Sequence, residues 1–409
     1  MRAVAITAIA ARQSQRNALH RDLSSFHFAT PTTMPLAVST HFDAGAIEVR
    51  ALDHPGDIQL AIRADSHADF RQWFFFRLQG ARGMPCRLRF VNAGACTYVE
   101  GWRGYAAVAS YDRQTWFRVP TQFDGAEMVV THTPERDSVY YAYFEPYGWD
   151  RHLEFLGRIE ASPHVRITRL GASVEGRDMD LVTVGENGSG RRAIWVIGRQ
   201  HPGETMAEWF VEGLLERLND PADSTSRTLL DLAVFHVVPN MNPDGSARGN
   251  LRTNAAGANL NREWLAPSLE RSPEVLLVRQ AMEATGVAAF LDVHGDESLP
   301  YVFTDGCERL PGYTPQHAVR ERRFTDALQA ANADFQTAHG YPSNKDTKVN
   351  LSLASKWIGN RFDCLSLTLE MPFKDNANLP RPSTGWDGAR SRRLGADSLT
   401  ALRVLFRGE

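Results

Sequence analysis

In "GRQHPGE", His201 and Glu204 stand three residues apart. An apolar run, "AIWVIG" (193–198), precedes them, and Met206, Phe210, Leu214 and Leu218 follow at helical spacing. An imidazole and a carboxylate placed i, i+3 on a turn that leaves a strand can reach one ion. A catalytic zinc takes three protein ligands and keeps an open position. His294 in "FLDVHGDE", at the end of another apolar run and before a glycine, is the third candidate. Either motif alone reads as an ordinary surface or structural group; together, at two strand ends of one sheet, they read as a metal site. In "LSLTLEMPF" (365–373), alternation puts Ser366, Thr368 and Glu370 opposite Leu365, Leu367 and Leu369. An acid in so apolar a strand is costly to bury without a partner. Glu370 is then either a salt-bridged edge carboxylate or, beside a zinc-activated water, a general base. The Asn- and Gly-rich stretch 242–264 carries Arg252, Asn261 and Arg262. An Arg fork beside an Asn amide suits a terminal carboxylate, and a second Arg can stabilise an oxyanion. The plainer reading, a solvated basic loop, fits Arg248 better.

Such groups need a scaffold that brings distant strand ends together. From residue 163 onward, apolar runs at 177–185, 193–198, 232–239, 288–295 and 364–372 read as strands. Helical patterns at 206–219, 272–285, roughly 316–337 and 388–406 alternate with them or follow them, and Ser272-Pro273 forms an N-cap/N1 pair. This predicts an α/β domain with a mixed, largely parallel sheet flanked by helices, whose strand ends face the ligand. Residues 35–150 read differently: short strands at roughly ten-residue intervals with turn residues between them predict an antiparallel β-sandwich. The dense aromatics Trp73, Phe74, Phe75, Phe76, Tyr141, Tyr143 and Phe144 read as core and inter-domain packing rather than a ligand platform. The expected organisation is a flexible leader over 1–33, a sandwich over 34–152 and the α/β domain over 153–409, with the seam in 147–162.

Composition bounds the rest. The chain has 409 residues, 43% of them apolar, which is ample for two cores. A net charge of −3 gives no general case for a nucleic-acid partner or an anionic membrane. No run approaches the roughly 18 apolar residues that span a bilayer. Cys86, Cys96, Cys307 and Cys364 follow no disulfide or CxxC spacing, so a cytoplasmic location is expected. The first 33 residues hold four arginines and one acid, Asp22, and lack the apolar core of a secretion signal. They read as a flexible leader, or else the functional start is Met34.

"HPGE", "NPDG…GNLR…NLNREW", "DVHG" and a late "TLEMPF" occur in the order found in the zinc metallocarboxypeptidases, and "LGASVEGRDMDLVTVGE" (170–186) resembles the strand pair that opens their catalytic domain. "HPGE" and "GNxR…LNR", with the aromatic strand at Gln72-Trp73-Phe74 and the "YFEPY" end at 143–147, resemble most closely the cytosolic carboxypeptidase subfamily, with its N-terminal β-sandwich. The similarity covers about 45–405. It implies one zinc held by His201, Glu204 and His294, with Glu370 as base and proton shuttle. It further implies that Arg252 polarises the scissile carbonyl and that Asn261 and Arg262 clamp the C-terminal carboxylate of a peptide or protein substrate. Asn259 stands where the family often carries Asp, which implies tuning rather than loss. Tyr341 is the candidate for the tyrosine that many relatives bring over the substrate.

The subfamily resemblance also implies a preference for C-terminal acidic residues, often glutamate. Lys345, Lys348, Lys356 and Arg361 crowd the segment before Glu370, and Lys356 is the candidate to meet an acidic side chain. Two other classes stay open. One is an amide hydrolase of the same fold acting on N-acyl amino acids or cell-wall peptides; the other is a non-catalytic peptide-binding protein.

Overall fold

Ten short strands open the structure, a computed structural model that describes residues 35–186, 190–342 and 349–407. The leader expected over 1–33, and Lys345 and Lys348, lie outside the described residues. The strands are β1 (Ala37–Ser39), β2 (Glu48–Ala51), β3 (Ile58–Ala61), β4 (Phe75–Gln79), β5 (Cys86–Phe90), β6 (Val108–Ser110), β7 (Phe117–Arg118), β8 (Thr121–Phe123), β9 (Met128–His132) and β10 (Ser138–Ala142). They form two five-stranded sheets, ordered β1-β4-β10-β6-β7 and β2-β3-β5-β9-β8. Pairing is antiparallel, as expected, except between β3 and β5, which run parallel. Alternation along β4 divides its aromatics. Phe76 stacks on Tyr141 and lies near Phe90, whereas Phe75 meets Phe42 and Trp116. All of these rings pack against protein, so the aromatic density is core.

Helix α1 (Trp149–Glu160) occupies the expected seam. His152, Phe155, Leu156 and Ile159 recur at i, i+3, i+4 and i+7, and that stripe is its buried face. His152 is held between two carboxylates, with Nδ1 2.6 Å from Glu208 and Nε2 3.5 Å from Asp180. Burial lowers its pKa, but the two carboxylates outweigh that and push it up to about 9.

The second half holds β11 (Val165–Ala172), β12 (Asp178–Val184), β13 (Arg192–Gly198), β14 (Ala233–Val238), β15 (Ala289–Asp296), β16 (Phe303–Asp305) and β17 (Leu365–Pro372) in one sheet ordered β11-β12-β14-β13-β15-β17-β16. The four central strands are parallel and both edges are antiparallel, so the sheet is mixed as expected. Helices α2 (Met206–Leu218), α3 (Ser224–Leu232), α4 (Pro243–Arg248), α5 (Pro273–Thr285), α6 (Pro315–Ala331), α7 (Ala354–Phe362) and α8 (Gly388–Phe406) accompany it. Strand alternation sorts the cores. Ile194 and Val196 join Phe210, Leu214, Leu394 and Leu402 on one face. Trp195 and Ile197 join Val275, Met282 and Trp357 on the other. Helices α2 and α8 cross so closely that a Cβ on Gly213 would overlap the Arg392 carbonyl, and one on Gly395 the Phe210 carbonyl.

Residues 36–407 form one compact unit. The face that holds Phe210 and Leu394 is continuous with the sandwich aromatics. Tyr143 stacks on Phe373 with centroids 4.5 Å apart. Arg118, on β7, donates to the carbonyls of Ala106, Phe373, Thr384 and Trp386, and so ties the sandwich to the end of β17 and the segment that follows.

Candidate functional site

Strand β13 ends at a sharp turn. Arg199 there adopts φ 60°, a left-handed conformation that residues other than glycine rarely take up. Its buried guanidinium holds the turn by donating to the Pro202 and Tyr147 carbonyls (2.9 and 2.7 Å) and to Glu208 (2.6 Å). The next residues deliver His201 and, one turn on, Glu204 at the entrance to α2. His294 comes from the C-terminal part of β15. Three donor atoms, one from each residue, lie within 4.8 Å of one another. His201 Nδ1 is 2.7 Å from Glu204 Oε1, His294 Nδ1 is 2.7 Å from Glu204 Oε2, and the two Nδ1 atoms are 3.2 Å apart. All three residues are 2–3% exposed.

Outer partners set the imidazole orientation. His201 Nε2 lies 3.0 Å from Asn259 Oδ1, and His294 Nε2 lies 3.0 Å from Asp292 Oδ1. Both are acceptors, so each ring carries its proton on Nε2 and turns the Nδ1 lone pair inward. Gln200 fixes Asp292 in turn, donating to both carboxylate oxygens (2.8 and 2.9 Å). The inward set is thus two imidazole nitrogens and a carboxylate, which are lone pairs facing one another. That arrangement needs a positive charge between them, and it fits zinc in donor type and number. The electrostatics agree. Burial, then Arg252, depresses His201 to about 4, so its ring is neutral and can offer a lone pair. Burial alone would raise Glu204, but the two imidazoles hold it well below the usual carboxylate range. His294 is pushed well up, against its burial, by Asp292 and Glu204, which shows how strongly this pocket favours positive charge.

Glu370 is level with His294, because the register of β15 and β17 pairs the two residues. Its Oε1 accepts the Tyr341 hydroxyl at 2.9 Å, and Oε2 is buried without a partner among the described residues. Burial pushes Glu370 up to about 8. The same Tyr341 hydroxyl lies 2.9 Å from Asp296 Oδ2, so its one proton is shared between the two carboxyl groups and it spans the edge of the site. Arg252 Nη1 lies 3.9 Å from Glu204 Oε1. Asn261 Oδ1 accepts the Ala354 N–H at the start of α7 (2.8 Å), and Arg262 donates to the Asn261 carbonyl (2.7 Å). These residues, with Tyr98, Asp296, Glu297, Asp305, Arg309 and Thr368, line one cavity of about 610 Å³.

Lys356 departs from expectation. It is 3% exposed, does not line the cavity, and spends its ammonium on Asp305 (2.8 Å) and the Gly306 carbonyl. Asp305 stands at the wall instead, because α7 turns this face of the helix inward against β16. Arg361 is exposed at the far end of the same helix. Asp292 was open to sequence reading, since alternation along β15 puts it on the side of His294. Tyr98 was not, because it arrives from the sandwich.

Residues 38–144 match the family model described as the cytosolic carboxypeptidase N-terminal domain, and residues 153–385 match that of zinc carboxypeptidase. An uncharacterised protein of Zymomonas mobilis is 45% identical over 91% of this chain and 97% of its own length. Cytosolic carboxypeptidase 2 of Danio rerio is 26% identical over 66% of this chain, but the match spans only 42% of that longer protein. The crystal structure of a metallo-carboxypeptidase from Burkholderia cenocepacia is 56% identical, covers 90% of this chain and 99% of its own, and superposes with a TM-score of 0.89.

Proposed function

The chain belongs to the zinc carboxypeptidase family, and from that premise we propose that it removes the C-terminal residue of peptides or proteins, with a preference for glutamate. It is a zinc hydrolase. We assign the ligands as His201, Glu204 and His294, the base as Glu370, and the substrate contacts as Arg252, Asn261 and Arg262. One observation carries the assignment: Glu370 Oε2, buried and without a partner among the described residues, shares a cavity with three converging metal-type donors and with Arg252 and Arg262.

Zinc, when bound, supplies a Lewis acid and an activated water near neutral pH. Glu370 accepts a proton from the attacking water at Oε2 and later gives it to the leaving amine nitrogen, so the carboxylate is regenerated each cycle. Tyr341, bridging Glu370 and Asp296, holds the base in place. Arg252 meets the negative charge that develops on the scissile carbonyl oxygen. Arg262 and the Asn261 amide grip the substrate's free carboxylate, which an internal peptide bond does not offer. The glutamate preference is supported by the likeness to the cytosolic carboxypeptidases; the cavity wall itself carries Arg309 together with Asp296, Glu297 and Asp305. A cytoplasmic location is supported by four free thiols.

The test is a panel of peptides differing only in the last residue, incubated with zinc-loaded protein and followed by mass spectrometry. Loss of one C-terminal residue, fastest from the Glu peptide, is expected. Release of Leu ahead of Glu overturns the preference alone. No C-terminal release from any member overturns the function.

A further inference from the structure

The sandwich reaches the cleft at two points. The first is Asp65, 7% exposed, in the loop between β3 and β4. Its Oδ1 accepts the Leu251 N–H (2.6 Å), and its Oδ2 accepts the N–H groups of Arg252 (2.8 Å) and Thr253 (2.9 Å) and the Thr253 hydroxyl (3.0 Å). Four hydrogen bonds from one carboxylate thus fall on three consecutive residues centred on Arg252. Neighbours reinforce the clamp: Ser66 donates to Asn250, and Arg63 to the Arg248 carbonyl. A loop without regular structure gets its shape from another part of the chain. The direction of the Arg252 guanidinium depends on that shape.

The second point is Tyr98. Its ring lies 5.4 Å from the Arg252 Cζ, with Phe70 at 5.9 Å, so the guanidinium rests on two aromatic faces from the sandwich. Gln72, fully buried, fixes Tyr98 by a reciprocal pair of hydrogen bonds to its backbone (3.0 and 3.1 Å). The following turn, Val99–Trp102, abuts the catalytic half closely: a Cβ on Gly101 would sit 3.1 Å from the Glu297 Cβ. Tyr98 lines the cavity, and its hydroxyl has no hydrogen-bond partner among the described residues. A fixed phenol with a spare O–H beside the carbonyl-polarising arginine is a donor awaiting an acceptor. The scissile carbonyl is already served by Arg252. The next acceptor along an extended peptide is the carbonyl one residue upstream, within roughly 3.6 Å of chain.

We propose that the N-terminal sandwich is a working part of the active site: Tyr98 contacts substrate by donating to the backbone carbonyl one residue before the scissile bond, and Asp65 is the positioning residue that aims Arg252. The Asp65 half rests on the assignment of Arg252 to the scissile carbonyl. The Tyr98 half predicts that the enzyme distinguishes a tripeptide, which has that upstream carbonyl, from a dipeptide, which lacks it.

The experiment compares Tyr98→Phe, Asp65→Asn and Arg252→Ala with the wild type, zinc-loaded, on a dipeptide and a tripeptide sharing the same last residue. Tyr98→Phe keeps the ring over Arg252 and loses only the hydroxyl. Its kcat/KM on the tripeptide should fall by about 5–10-fold more than on the dipeptide, mainly through KM. Asp65→Asn should lower kcat on both substrates by about 10-fold or more, with KM little changed, because a misaimed guanidinium fails in the transition state. Thr253→Val, which removes one of the four bonds, gives a smaller loss of the same kind if Asp65→Asn fails to fold. Arg252→Ala should lose about 10²–10³ in kcat. If Arg252→Ala keeps wild-type kcat, its assignment and the Asp65 half fall together, and the peptide-length effect of Tyr98→Phe still decides the other half. If Arg252→Ala is crippled while Tyr98→Phe and either Asp65→Asn or Thr253→Val match the wild type, the sandwich is only packing and the inference is overturned.

Discussion

Replacing Asn259 tests the metal centre at its weakest support. The two imidazoles lean on unequal partners at equal distance: His294 on the carboxylate of Asp292 and His201 on the neutral amide of Asn259, each 3.0 Å away. Asp292 is fully buried and braced by Gln200, whereas Asn259 is half-buried. Asn259→Ala removes one neutral hydrogen bond and frees the His201 ring to turn. A bond of that kind is worth about 1–1.5 kcal/mol, so zinc affinity should fall by roughly 5–15-fold, near the low end for outer-shell changes. Asn259→Asp makes the bond charge-assisted and should tighten zinc a few-fold, about 1 kcal/mol. The assay is equilibrium competition for zinc against a chelator of calibrated affinity at fixed pH, with circular dichroism to confirm the fold. If Asn259→Ala holds zinc within twofold of the wild type, His201 is not oriented through Asn259 and the tautomer assigned here is wrong.

Glu370→Gln should reduce turnover by about 10²–10⁴ while zinc stays bound, since the amide cannot take up the proton; full turnover would dismiss the proposed base. His152 gives a pH-dependent stability. Its folded pKa of about 9 lies above the ordinary 6.5, so the stabilisation is fully present below pH 6.5 and is lost as pH rises through about 9. The difference amounts to about 3 kcal/mol, and His152→Gln should abolish that slope in urea titrations at pH 6 and pH 10. Parallel slopes for both proteins would refute the two-carboxylate account. Arg118→Met leaves four backbone carbonyls without their donor and should cost on the order of 3 kcal/mol in thermal or urea unfolding. A change below about 0.5 kcal/mol, the range of an ordinary surface substitution, would show the bridge to be idle.

The ends of β13, β15 and β17 were legible because apolar runs of strand length stop at His, Gly or Glu, and such stops are chemical as well as structural signals. The same reasoning missed α1, whose buried stripe at 152, 155, 156 and 159 is broken up by Arg151, Glu154 and Arg158 and includes a histidine. It missed the parallel pairing of β3 with β5, because alternation reports which face is buried and not which way a neighbour runs. Lys356 was misjudged for a related reason. Local sequence shows that a cation is near the site but not that Asp305, fifty-one residues earlier, already holds it. Tyr98 and Asp65 could not have been found locally, since their partners lie more than 150 residues along the chain.

The shared apolar face between the sandwich and the main sheet limits how this chain can be cut or recombined. Tyr143 stacks on Phe373 across an apolar seam, and Arg118 closes it by donating to carbonyls after β17. A fragment beginning after α1 would bare that seam and tend to stick to its own copies. The two halves therefore keep this face covered only when they are made together as one chain.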